Sequence, residues 1–240
     1  MKQKKILIPT RSTSDWKFLL AEPDKHWKPG YSAMLTAQTW ENAFGLPPEI
    51  VSIFNESEDE FFKKLELALA IPEYKVSLKG GNRPSQNDVF ALLTSKKGLT
   101  ALTVEGKARE DFGPALDQWR YKVSEKGYQT RLNHILANIG LTGLIPGHIR
   151  YQLLHRTASA VIEAKRFHCK SAVMIVQSFV ELDTENHFMD YCQFLQMYGI
   201  KPVKEKINFL ANINGVRLSS AWVYTKHPAV EGSPFGRNEL

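Results

Sequence analysis

Hydrophobic positions along the chain change period several times, and each change marks a predicted element. Asn87 to Thr94 and Leu99 to Val104 are two runs of apolar and β-branched residues without a clean polar face, joined by Ser95-Lys96-Lys97-Gly98. Such runs around a short polar break ending in Gly predict a β-hairpin of central strands, covered on both sides. With Thr94 opposite Leu99, paired positions sum to one constant, and Asp88 falls directly opposite Glu105. Directly opposed residues share a face with Cβ atoms roughly 5 Å apart, and Lys107, two residues on, points the same way. A bulge at Gly98 would slip the pairing by one and make the two acids diagonal neighbours.

Elsewhere the pattern predicts helices over residues 32 to 43, ended by Gly45 and Pro47-Pro48, and over 115 to 123, 129 to 139, 147 to 166 and 185 to 198. Short strands are expected at residues 4 to 8, 50 to 54 and 74 to 78, and a fully buried one at 170 to 179, centred on Ala172-Val173-Met174-Ile175-Val176. Ser57-x-x-Glu60 reads as a capping box opening a helix through Phe61, Phe62, Leu65, Leu67, Leu69 and Ala70. Residues 10 to 29 lack a sustained period and read as an ordered loop, and residues 226 to 240 as irregular. Asn214-Gly215, between two apolar runs from Ile207 to Tyr224, is a hairpin turn signal.

Composition adds little to this picture and excludes some classes. The 240 residues are 43% hydrophobic and 23% charged, ordinary for one globular domain. No apolar run reaches the eighteen or more residues of a membrane span, and Ile6-Leu7-Ile8 after the N-terminal lysines is too short for a signal peptide, so a cytoplasmic protein is expected. Cys169 and Cys192 lack metal-ligand spacing and are expected to stay reduced. A net charge of +6 favours a polyanionic partner. Trp16, His26, Trp27, Tyr31 and Trp40 could form a base-stacking platform or, as such aromatics more often do, a small satellite core.

Two carboxylates held at hairpin-pair distance repel, and a hard divalent cation relieves them. A neighbouring lysine can then serve the attacking water or the charge developing on a phosphate. Asp88, sixteen intervening residues and then Glu105-Gly106-Lys107 resemble the active-site signature of the PD-(D/E)XK nuclease superfamily, with Asn87 where that signature carries Pro. The expected order of elements from about residue 57 to 180 is α-β-β-β-α-β, that of the restriction-endonuclease-like core: an α/β fold with a mixed sheet flanked by helices. Residues 1–56 and 181–240 would be N- and C-terminal additions within a single domain.

The resemblance implies that Asp88, Glu105 and the Gly106 carbonyl hold Mg²⁺ or Mn²⁺, that Lys107 acts on water or the transition state, and that Gln152 joins the site from the following helix. A further acid often comes from the preceding helix, where Glu60 and Glu66 stand. Lys79, Arg83, Arg109, Arg150 and Arg156 would frame a substrate groove. The expectation is metal-dependent hydrolysis of nucleic acid, DNA before RNA, with a homodimer possible. The alternatives are a catalytically silent nucleic-acid-binding module on the same scaffold, and an interaction or antitoxin-like protein whose acids are structural.

Overall fold

Large apolar residues alternate with Glu66, Ala68 and Ala70 from Leu65 through Ile71, and that stretch enters an edge strand from Glu66 rather than the expected helix. The computed structural model describes residues 10–179 and 184–226. Its first part is helical: a 3₁₀ turn at Thr13–Leu19, then α1 (Pro23–His26), α2 (Ser32–Asn42) and α3 (Pro48–Glu56). The segment 10 to 29 is therefore wound into turns rather than left as a loop. The strand expected at 50 to 54 is part of α3, because Pro48 presets the first helical turn and Ile50, Ile53 and Phe54 recur at helical spacing on the buried face.

Ser57-x-x-Glu60 opens only a 3₁₀ turn, Glu60–Phe62, capped by the Asp59 side chain accepting from the Phe61 N–H. The chain then enters β1 (Glu66–Val76), eight residues ahead of the expected first strand. β2 (Ser85–Ser95) and β3 (Gly98–Lys107) form the expected hairpin, with Thr94 opposite Leu99. α4 (Leu116–Arg120), α5 (Glu125–Ile139) and α6 (Tyr151–Arg166) lead to β4 (Ser171–Ser178), buried at every position. The helix expected from residue 147 starts at Tyr151 because the backbone before it is used elsewhere: Leu116 and Asp117 donate to the carbonyls of Ile149 and Gly147. α7 (Thr184–Gln196), β5 (Ile207–Ile213) and β6 (Val216–Tyr224) complete the chain. Asn214 and Gly215 both take positive φ in the β5–β6 turn, as a two-residue hairpin loop requires. The strand expected at residues 4 to 8 and the tail beyond 226 lie outside the described residues.

Among the described residues one six-stranded sheet runs in the order β1-β2-β3-β4-β6-β5. It is mixed: the hairpins are antiparallel, while β3 with β4 and β4 with β6 are parallel. A crossover between β3 and β4 needs a covering element, and α6 supplies it. On one face Phe90, Leu92, Ala101 and Met174 pack with Leu153, Leu154, Ala158 and Val161 of α6. On the other, Val89, Ala91, Leu102, Val104 and Val173 pack with Trp40 of α2 and Ile50, Ile53 and Phe54 of α3. The result is an α/β fold with a mixed open sheet flanked by helices. Trp16 and Trp40 are 2% and 1% exposed within that second layer, with Trp27 partly buried against it, so these tryptophans are core, while His26 and Tyr31 are half-buried at its margin. Cys169 and Cys192 are free thiols.

Candidate metal and phosphodiester site

β2 and β3 pair in constant register as far as Val89 with Val104, and the ladder ends there. Asp88 and Glu105 are the next residues, and the Asp88 carboxylate takes over from the backbone: its Oδ2 accepts the Gly106 N–H at 2.7 Å. Gly106 is required at this point. A Cβ on it would stand 2.3 Å from the Thr36 Oγ1 of α2 and 3.2 Å from that same Asp88 oxygen.

A third acid reaches the same end of the sheet from β1. Glu73 lies between the pairs Pro72 with Val89 and Tyr74 with Asn87, and therefore opposite Asp88. Its backbone is left-handed, φ 52°, a conformation a glutamate adopts at a cost of roughly 1 kcal/mol or more. The kink resets the strand's alternation, since Ile71 and Tyr74 both pack into the α6 layer although three positions apart. Glu73 Oε2 accepts from Gln86 Nε2 at 2.7 Å. Sequence reasoning missed this residue because a helix was expected through Ala70. Period-two alternation from Leu65 onward was the signal that would have found it. Neither Glu60 nor Glu66 takes that place: Glu60 is in the 3₁₀ turn, and Glu66 pairs with Thr94, roughly 20 Å along β2 from Asp88.

Glu105 is 2% exposed and held from three sides. Lys107 Nζ lies 2.7 Å from its Oε1 and Arg156 Nε 2.5 Å from its Oε2. Gln152 Nε2 donates to Oε1 at 2.5 Å while Gln152 Oε1 accepts the Gly113 N–H at 3.1 Å, so one amide ties Glu105 to the loop after β3. Lys107, itself 4% exposed, also lies over the Phe112 ring.

The electrostatics follow from burial and from who pairs with whom. Burial, reinforced by the charges of Glu105 and Glu73, raises the Asp88 carboxyl well above its ordinary range. Burial likewise pushes Glu73 up to about 7, against the Gln86 hydrogen bond and the Arg156 charge. Burial would raise Glu105 too, but Arg156 and then Lys107 outweigh it and leave that carboxyl lowered. The metal-free site thus keeps Glu105 ionised and favours protons on the other two acids.

Asp88, Glu105, Lys107 and Gln152 therefore lie at one end of the sheet, with Lys107 and Gln152 on the Glu105 carboxylate and Asp88 on the Gly106 N–H. The basic set is divided. Lys79, Arg83 and Arg109 are exposed at loops. Arg150 is tied to Asp190 at 2.9 Å. Arg156 is 7% exposed and spent on Glu105, so it is an internal counter-ion and not a groove residue. The basic loop after β1 is turn structure: Arg131 of α5, unremarked in the sequence, donates to the carbonyls of Leu78, Lys79, Gly81 and Arg83.

In donor chemistry the site offers hard oxygen ligands of the kind a divalent cation takes: the Asp88 and Glu105 carboxylates follow the last ladder pair on neighbouring strands, and a buried Thr36 hydroxyl without a partner lies beside Gly106. Arg156, Lys107 and Gln152 occupy both oxygens of Glu105, and among the described residues no three Asp, Glu, His or Cys side chains are arranged as a ready metal cage. Also among the described residues, no helix is long and apolar enough to cross a membrane. Comparison with the curated proteins and with the solved structures finds no match. Residues 9–227 match the family model described as a domain of unknown function, DUF6946, and the chain belongs to that family.

Proposed function

We propose that the protein is a divalent-metal-dependent phosphodiester hydrolase on a restriction-endonuclease-like core, acting on nucleic acid and on DNA before RNA. The observation that carries this reading is the meeting of Asp88, Glu105, Lys107 and Gln152 at the point where the β2–β3 ladder stops. The order of β1, β2, β3, α6 and β4, with α3 ahead of them, supports the same core. Asp88, Glu105 and the Gly106 carbonyl would hold Mg²⁺ or Mn²⁺, and Glu73 stands across β2 as a further oxygen donor. A bound cation would polarise the phosphate and lower the pKa of its water.

The remaining work falls to the chain's own side chains. Gln152 fixes the plane of the Glu105 carboxylate by bridging it to the Gly113 N–H. Lys107, fixed at one end by Glu105, presents its other N–H groups to a water or a phosphate oxygen on which charge develops. Exposed Lys79, Arg83 and Arg109 supply contacts to a polyanionic backbone.

The test is cleavage of supercoiled plasmid and of RNA by purified protein with Mg²⁺ or Mn²⁺, wild type against Lys107→Ala. Wild type should nick the substrate, Ca²⁺ should not substitute, and Lys107→Ala should lose about 100-fold or more in rate. Equal rates in the two proteins remove Lys107 from the mechanism. A second reading, a nucleic-acid-binding module without hydrolysis, is favoured by the full engagement of both Glu105 oxygens. It expects binding without cleavage by either protein.

A further inference from the structure

We propose that Arg156 is a built-in counter-cation that competes with the divalent metal for Glu105, so that the site opens only when Arg156 swings away. The inference rests on the metal-dependent reading above and concerns how that same site is regulated. Arg156 Nε lies 2.5 Å from Glu105 Oε2, and Lys107 and Gln152 hold the other oxygen. A cation ligated by Glu105 needs one of those oxygens, and Oε2 is the one held by a single group.

A guanidinium at Oε2 and a divalent cation at the same oxygen would repel each other, so the two compete for one place. A resting place exists, because Arg156 Nη1 already donates to Ser85 Oγ at 3.2 Å. Its position on α6 is secured independently by the main chain, where Thr103 Oγ1 donates to the Arg156 carbonyl at 3.1 Å. The side chain can therefore move while the helix stays docked.

The experiment is a titration of the full-length protein with Mn²⁺ alone, followed by electron paramagnetic resonance, on wild type, Arg156→Gln and Arg156→Lys. Circular dichroism melts check that each variant is folded. Arg156→Gln should bind Mn²⁺ about tenfold more tightly than wild type or better, and Arg156→Lys, which keeps the charge but loses the guanidinium fork, by less. Binding by Arg156→Gln where wild type binds none supports the inference most strongly. If Arg156→Gln fails to fold, tighter binding by Arg156→Lys supports the inference and unchanged binding overturns it. Equal or weaker binding by the variants, with wild type still loading Mn²⁺, overturns the competition and leaves the metal-dependent reading standing. No binding by any of the three proteins overturns both.

Discussion

The Asp88 carboxylate and the Gly106 N–H meet at 2.7 Å, so a side chain closes the sheet where the backbone pairing of β2 and β3 ends. Gly106 can sit there only without a Cβ, since α2 seats Thr36 Oγ1 on the same spot. Gly106→Ala should therefore push α2 off the hairpin and lower stability by about 1–3 kcal/mol. Urea denaturation of the two proteins measures it, and an unchanged midpoint contradicts the close packing.

The Asp88 charge is unfavourable, since the half-buried carboxylate loses solvent and faces both Glu105 and Glu73. Asp88→Asn keeps an oxygen for the Gly106 N–H and removes the repulsion. The metal-free variant should melt higher than wild type at neutral pH, contrary to most polar changes in a core. Wild type should gain about 2.7 kcal/mol when Mg²⁺ stands at one hundred times its dissociation constant, and the variant far less. Identical responses to Mg²⁺ would mean that Asp88 is not a ligand.

The pH dependence of the metal-free fold has a definite sign. Glu73, ordinarily 4.5, is raised to about 7, so the folded state holds its proton longer than the unfolded chain does. Its contribution is fully favourable below about pH 4.5 and is lost as pH rises towards 7. Asp88 acts in the same direction, while the lowered Glu105 contributes above its ordinary value and loses that on acidification. Glu73→Gln should flatten the fall between pH 4.5 and 7, by on the order of 2–3 kcal/mol. Chemical denaturation across that window reads it, and parallel curves for the two proteins count against the coupling.

The hairpin and its register were legible because they are local: Thr94 opposite Leu99 follows from the turn, and Asp88 and Glu105 follow from that pair. Gln152 was reached through the resemblance, as a polar residue in the first half of the helix expected from residue 147. Glu73 was not, because reaching it depends on β1, and β1 was hidden by a sequence that satisfies two patterns. Ser57-x-x-Glu60 signals a helix start and Leu65, Leu67 and Leu69 signal a strand, and pairing with β2 decides for the strand over Glu66–Val76. Arg156 was misjudged, and Arg131 passed unremarked, for a related reason. Whether an arginine faces solvent or sits at a buried carboxylate depends on helix docking, which no local pattern specifies.

Arg131 is the tie that holds the loop after β1, with guanidinium bonds to four backbone carbonyls. Arg131→Leu leaves those carbonyls unpaired and should cost about 2–4 kcal/mol. Limited proteolysis should then cut within residues 79–84, and a loop as resistant as that of wild type contradicts this role.

Lys79, Arg83 and Arg109 are exposed and, on this account, contact phosphates. Three such contacts give a slope of about −2.7 in log affinity against log salt for duplex DNA. Fluorescence anisotropy across a salt series measures the slope, and the triple alanine variant should bring it close to zero. A wild-type affinity independent of salt excludes the groove.

The proposed site requires that Asp88 and Glu105 share a divalent cation. Crystals soaked in Mn²⁺ and measured at a wavelength where manganese scatters anomalously test it without reference to activity. One anomalous peak is expected within about 2–2.5 Å of oxygens from both carboxylates, with Arg156 moved off Glu105. A map without a peak there, with Arg156 still on Glu105 Oε2, contradicts it.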